Sequence, residues 1–380
     1  MVDLAIPPAG PLGRKLVGGN DGVCAACWRE LEFITPVICH RTGVPLAEDP
    51  EPEGSGLAAI VNSPLYYRDR TLLCAGAGAV MSSLCRGLLC PKLWLYDGLM
   101  THLSVACVQL CSGCDPAENM AEIDRRVRLA TAAGARLVAL PEACTFMEKN
   151  RAAMRARLFT EQKSPQVAAF AELARAMGVW LLAGSQFLAD EDDTAVNRSL
   201  VFAPDGTIAA RYDKIHMFDV TLPNGEVHAE SQSYKAGTKA DMVEVDGVWL
   251  GLSICYDMRF PAMYRAMARA GAQVLSVPSA FTQVTGEAHW HVLLRARAIE
   301  NGAYVLAPAQ MGTHENGRRT FGHSLIVDPW GTVIAEAGAD DDFVMAELDM
   351  AAVDKARRAL PVFAHGRSFS LSYKSEPVHD

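Results

Sequence analysis

From Met100 onward the sequence predicts an α/β fold built on a mixed sheet, and three features point to it. Apolar runs of strand length alternate with segments of helical period. Helix starts are marked by Asp115-Pro116 and Ser164-Pro165, an N-cap residue followed by a proline in the first turn. Asp205-Gly206 and Asp246-Gly247 each sit between β-like runs and predict hairpins. Strand–helix alternation favours parallel pairing and hairpins require antiparallel pairing, so a chain carrying both signals builds a mixed sheet.

The elements follow in order. SVACVQL (104–110) is a buried-strand run, and the helix opened by Asp115 comes after it. ARLVALP (135–141) is a second strand, ending at Glu142. Residues 164–177 form a helix, and VWLLAGS (179–185) a third strand. The hairpin at Asp246-Gly247 leads through VWLGLSI into Cys255. A helix over 261–270, a strand at 273–277, a long helix near 287–300 and a strand at 303–309 complete the alternation. A last hairpin pivots on Asp328-Pro329-Trp330-Gly331.

Composition narrows the function classes. Half of the 380 residues are hydrophobic and 21% are charged, which suits a folded chain with a large core and excludes a disordered one. At roughly 150 residues per domain, two or three units are expected. A net charge of −9 argues against nucleic-acid binding as the main activity. The opening MVDLAIPPAGPLGRKL has no continuous apolar signal segment, so a cytoplasmic location is expected. In that reducing setting most cysteines are buried apolar residues. Residues 71–95 are apolar, but Arg86 and Lys92 interrupt them, and no membrane span is expected.

Residues 1–99 read differently from the rest. They hold six of the eleven cysteines, and GVPLAEDPEPEGSG (43–56) is a loop rich in proline, glycine and acid. Only Cys24 and Cys27 form a complete CxxC pair. Cys39 has Thr42 where its partner would stand, and adjacent Cys39 and His40 cannot easily face one ion, whereas a structural zinc site wants four ligands. CAACWRELEFITPVICHRTGVPL (24–46) resembles part of the zinc-ribbon N-terminus of ComF-type phosphoribosyltransferases. With the ligand set incomplete, residues 1–99 read as a degenerate extension, and 100–380 as the catalytic domain.

The chemistry concentrates in three blocks. Cys255, in GLSICYDMRFP, follows an apolar strand and precedes a helix start, a turn that exposes a nucleophile and aims backbone N–H groups at a developing oxyanion. A lone cysteine there is ordinarily a packing residue. Glu142, in LVALPEACTF, ends a strand; desolvation there should raise its pKa and suit it to take a proton from a thiol. Lys214, in RYDKIHMFDV, could favour a thiolate and hold an oxyanion, although a solvated surface lysine is the plainer reading. Glu230, in HAESQSY, reads by itself as an exposed loop acid. Arg259 could pair with a substrate carboxylate or with Asp257. His289 and His291 show no metalloprotease spacing and read as structural hydrogen-bonders, so neither metal nor organic cofactor is expected.

PEACTF, YDKIHMFDV and SICYDMRFP, in this order, resemble the nitrilase superfamily of carbon–nitrogen hydrolases, from about Leu103 to about Tyr373. The resemblance implies a four-layer α-β-β-α sandwich. It also implies Glu142 as general base, Cys255 as nucleophile, Lys214 as oxyanion-stabilising cation and Glu230 as a positioning carboxylate. Arg259, Tyr256 and Phe218 are the expected substrate-binding residues. Segments 281–314 and 317–331 resemble the branch of amidases acting on deaminated glutathione, with Met311 standing where a small residue or a cysteine is expected. The expected function is therefore a cysteine-dependent amidase for a small carboxylate-bearing molecule, working through a thioester. An omega-amidase, an N-carbamoyl amino-acid hydrolase and a nitrilase are its alternatives. A zinc-ribbon interaction protein with a scaffold hydrolase domain is the non-enzymatic one, disfavoured because all four polar positions are intact. A homodimer or higher homo-oligomer is expected, without nucleic-acid or membrane partners.

Overall fold

The computed structural model describes residues 102–190, 194–339 and 341–372. The N-terminal extension, its CxxC pair and the apolar stretch 71–95 lie outside the described residues. Among the described residues, no helix is long and apolar enough to cross a membrane.

The chain first lays down β1 (His102–Val108), α1 (Pro116–Ala132), β2 (Leu137–Ala139), a short α2 (Arg151–Arg155) and α3 (Pro165–Met177). Then come β3 (Trp180–Leu182), β4 (Gln186–Ala189), β5 (Ala195–Phe202), β6 (Ile208–Asp213), β7 (Asp219–Thr221) and β8 (Val227–Ala229). A second run comprises β9 (Met242–Val245), β10 (Val248–Gly251), α4 (Pro261–Ala270), β11 (Val274–Ser276), α5 (Gln283–Asn301) and β12 (Tyr304–Ala307). It closes with β13 (Met311–Thr313), β14 (Arg319–Phe321), β15 (Leu325–Val327), β16 (Val333–Glu336), β17 (Phe343–Asp349), α6 (Met350–Ala359) and α7 (Val362–His365).

Local signals act where the sequence places them. Asp115 accepts a hydrogen bond from the Ala117 N–H, and Ser164 caps α3 through the Val167 N–H. Asp246 and Gly247 both take positive φ, +47° and +84°, the backbone of a tight two-residue hairpin joining β9 to β10. The long helix starts earlier than expected, at Gln283 behind an N-cap at Thr282. Gly286 masks that start in the sequence; it is glycine because a Cβ there would lie 2.3 Å from Cβ and Cγ of Phe321.

Two sheets result. One runs β17-β1-β2-β3-β5-β4 with β6 on β5; the other runs β16-β15-β12-β11-β10-β9. Each has a parallel centre, β1-β2-β3 and β10-β11-β12, flanked by antiparallel strands. The two-residue period of the strands sorts the layers. Val105, Cys107, Leu137 and Ala139 point to a core shared with Leu250, Val274 and Leu306 of the other sheet. Their neighbours Ala106, Val108, Val138 and Leu140 pack outward against Ile123 and Val127 of α1 and Phe170 and Leu173 of α3. With α4 and α5 covering the second sheet, the layers are α-β-β-α, as the resemblance implied. The expected mixed pairing is present in both sheets.

Candidate active site

Two strand ends and a loop build the site. Glu142 follows β2, in the first sheet. Behind it the chain needs a left-handed residue, Ala143 at φ +54°, and the buried Gln310 amide holds the loop by donating to the Glu142 and Ala143 carbonyls. Gly184 lets the neighbouring strand end close in, since a Cβ there would meet the Leu140 carbonyl at 2.1 Å.

Cys255 follows β10, in the second sheet, and opens a 3₁₀ turn, Cys255–Arg259, with its own φ at +48°. An L residue held there is strained by about 1–3 kcal/mol, so the surroundings must impose it. They do so through Asp257, which is fully buried. Its carboxylate accepts from the Ile254 N–H at 2.9 Å, the Tyr212 hydroxyl at 2.6 Å and the His216 N–H at 3.0 Å, while His216 Nδ1 lies 2.7 Å away. The Cys255 N–H donates to the Pro278 carbonyl at 2.9 Å. Asp257 thus ties the cysteine turn to the segment carrying Lys214. The alternative pairing of Arg259 with Asp257 is not what forms.

Lys214 stands between the two acids. Its Nζ donates to Glu142 Oε1 at 2.9 Å and to both oxygens of Glu230, at 3.0 and 2.9 Å. Glu230 also accepts from the Phe218 N–H at 2.7 Å, so it is a partly buried partner of Lys214 and not an exposed loop acid. Glu142 Oε2 accepts from the Ala280 N–H at 2.9 Å, and Asn197 Nδ2 donates to Glu142 and, at 3.3 Å, to Glu230.

Electrostatics corrects one expectation, that desolvation raises Glu142. Burial works to raise the Glu142 carboxyl, but the Lys214 ammonium and its hydrogen bond outweigh it and hold Glu142 below the usual range. Burial would likewise depress the Lys214 ammonium, and the Glu142 and Glu230 charges instead hold it well above its ordinary value. Cys255 is pushed well up, by burial first and by the Glu142 charge next, against the pull of Lys214. Lys214 favours the thiolate as expected, but burial and the Glu142 charge outweigh it, so the thiol stands neutral beside a carboxylate. Moving the thiol proton to Glu142, which lines the same cavity, leaves the local net charge unchanged.

These groups line a cavity of about 350 Å³, a volume suited to a small organic molecule. Glu142, Lys214, Glu230 and Cys255 meet there, and the expected substrate-binding residues Tyr256 and Phe218 line it with their rings 5.0 Å apart. Arg259 is not a lining residue; its guanidinium lies over the rings of Tyr256 and Phe281, which are, and within 3.2 Å of His289 Nδ1. Met311 does not line the cavity, so its departure from expectation does not touch the lining. Sequence reasoning missed Asn197, Asp257 and Arg318. Asn197 had a signal, a polar residue inside the apolar strand AVNRSLVF. Arg318 lines the cavity, with Nη2 donating to the Ala280 carbonyl at 2.7 Å and a buried Nε without a protein partner.

A cysteine, a carboxylate and a buried ammonium thus line one cavity at the strand ends of a two-sheet sandwich, the arrangement that the sequence blocks implied. The carbon-nitrogen hydrolase family profile matches residues 104–358. The chain belongs to that family, the nitrilase superfamily, and is a hydrolase of carbon–nitrogen bonds other than peptide bonds. It is 38% identical over 276 residues to the deaminated glutathione amidase of Yersinia enterocolitica, covering 71% of this chain and 95% of the relative. It is 41% identical over 268 residues to the Synechocystis enzyme of that name, covering 68% and 96%. The crystal structure of Saccharomyces cerevisiae Nit3, a member of branch 10 of the nitrilase superfamily, superimposes with a TM-score of 0.63 at 31% identity, over 69% of this chain and 95% of that one. A double zinc ribbon profile matches residues 1–57, a longer stretch than the 24–46 read from the sequence.

Proposed function

We propose that the protein is an amidase in which Cys255 is the nucleophile, Glu142 the general base, Lys214 the oxyanion-stabilising cation and Glu230 the group that positions Lys214. The observation that carries this reading is the single ammonium bridging two carboxylates, one of which, Glu142, lines the same cavity as the Cys255 thiol. Glu142 takes the thiol proton as sulfur attacks the amide carbonyl, and the tetrahedral oxyanion is held by Lys214 and a backbone N–H near Tyr256. Collapse breaks the C–N bond, and Glu142 returns the proton to the departing amine. Water, deprotonated by the same carboxylate, then hydrolyses the thioester and frees Cys255.

The substrate we infer is deaminated glutathione, cleaved to 2-oxoglutarate and cysteinylglycine; the names of the relatives and the cationic side chains around the cavity support it. Its carboxylates call for guanidinium partners, and Arg318, which lines the cavity, is the candidate, with Arg259 standing behind the lining rings of Tyr256 and Phe281. Intact glutathione would bring an additional ammonium, whose burial without a dedicated acid is costly. The enzyme is proposed to work in the cytoplasm as a homo-oligomer.

Steady-state rates on deaminated glutathione, 2-oxoglutaramate and glutathione test the substrate. The expected order of kcat/KM is deaminated glutathione first, 2-oxoglutaramate lower and glutathione without turnover; a large preference for 2-oxoglutaramate would make the protein an omega-amidase. Cys255→Ala should abolish turnover, and Glu142→Gln and Lys214→Ala should each cost more than roughly a hundredfold. Near-native activity of Cys255→Ala would overturn the mechanism.

A further inference from the structure

A second constellation lies apart from the catalytic residues, where α5, the β14–β15 turn and the end of β16 meet. His291 Nε2 is 2.9 Å from Glu336 Oε1, and His323 Nδ1 is 2.7 Å from the same oxygen. The three ligand atoms lie within 4.8 Å of one another, and each side chain is a little over one-third exposed. His323 and Glu336 lie 32 and 45 positions beyond His291, separations that give no sign of the cluster in the sequence.

The backbone goes out of its way to aim His323. It sits at φ +56°, a left-handed conformation that L residues rarely adopt. The fully buried Trp290 fixes it by donating Nε1–H to its carbonyl at 2.9 Å, and Phe321 stacks on its ring at a centroid distance of 4.4 Å. An exposed imidazole–carboxylate pair contributes little in water, too little to offset a strained residue. Two imidazole nitrogens and a carboxylate converging from three separately anchored elements are instead the donor set of a borderline divalent cation. Calcium and magnesium prefer all-oxygen sets.

We propose that His291, His323 and Glu336 form a zinc-class metal site, with the remaining coordination position open to solvent. Donors on a tetrahedral zinc at about 2.0–2.2 Å stand about 3.4 Å apart. The two pairs now at 2.9 and 2.7 Å would therefore have to open by roughly half an ångström or slightly more as the ion replaces their hydrogen bonds. The consequence reaches the catalytic cavity. Phe321, stacked on His323, presses on Gly286 in the first turn of α5, whose Thr282 and Thr285 line that cavity. A bound ion would pin this helix to the second sheet.

The test uses the full chain, stripped with a chelator and dialysed against micromolar free zinc, with bound metal counted per chain. Parent protein is compared with His291→Ala, with His323→Asn, which tolerates the left-handed backbone, and with Glu336→Gln. Each variant should hold one zinc fewer than the parent. Sites made by other residues, including Cys24 and Cys27, contribute equally to parent and variants and cancel in the difference. Excess magnesium should leave the difference intact. Equal zinc content in the parent and in every folded variant, or displacement of this zinc by magnesium, would overturn the proposal.

Discussion

At the scale of single residues, the proposed chemistry rests on proton transfer between two groups whose pKa values are driven apart. Glu142 is depressed and Cys255 elevated, so carboxylate and thiol coexist over a wide range, and Lys214, raised by its two acids, stays cationic throughout. The signs set the pH profile. A depressed Glu142 keeps the base ionised until pH falls below the usual carboxylate range, so the acid limb is displaced downward. An elevated Cys255 and Lys214 displace any alkaline limb upward. The kcat/KM of the free enzyme should therefore be flat between about pH 6 and about pH 8.5. A rate profile with an apparent pKa near 7 would show that a thiolate–ammonium pair, and not Glu142, governs the reaction. Asp257 shows why this arrangement survives its strain: a buried carboxylate with Tyr212, His216 and a backbone N–H as partners holds Cys255 in its left-handed turn.

At the scale of elements, capping and turn chemistry made much of the fold legible. Asp115, Ser164 and the Asp246-Gly247 pair act locally and need no tertiary partner to be read. Short strands such as β7, β8, β13 and β14 carry no alternation of their own; each exists because a partner strand lies beside it. The start of α5 was hidden for a related reason, since Gly286 argues against helix until Phe321 is seen against it. Replacing Gly286 by Ala sets two effects against each other. Helix propensity favours alanine by about 1 kcal/mol. Overpacking against a rigid ring stem costs about 1–3 kcal/mol. With a contact of 2.3 Å to atoms next to the Phe321 backbone, the second should win. The unfolding midpoint in urea should fall, and a variant as stable as the parent would show that β14 can move aside.

At the scale of the whole molecule, two sheets meet so that the strand ends of each deliver part of one site: Glu142 from one, Cys255 and the Ala280 N–H from the other. Every catalytic group proposed here lies beyond Met100. A chain beginning there should fold and turn over substrate at the rate of the full protein; insolubility or a large loss of kcat would make residues 1–99 a working part of the enzyme. The sequence by itself determined the strand–helix alternation, the hairpins and the blocks around Glu142, Lys214 and Cys255, because periodicity, turn propensity and contiguous motifs are local properties. Only the tertiary structure decided that Lys214 bridges two acids, that Glu142 is depressed where desolvation alone would raise it, that Arg318 and not Arg259 lines the cavity, and that His291, His323 and Glu336 meet. Those outcomes depend on distances between residues far apart in the chain, and electrostatic interaction follows distance in space and burial, which no spacing along the sequence encodes.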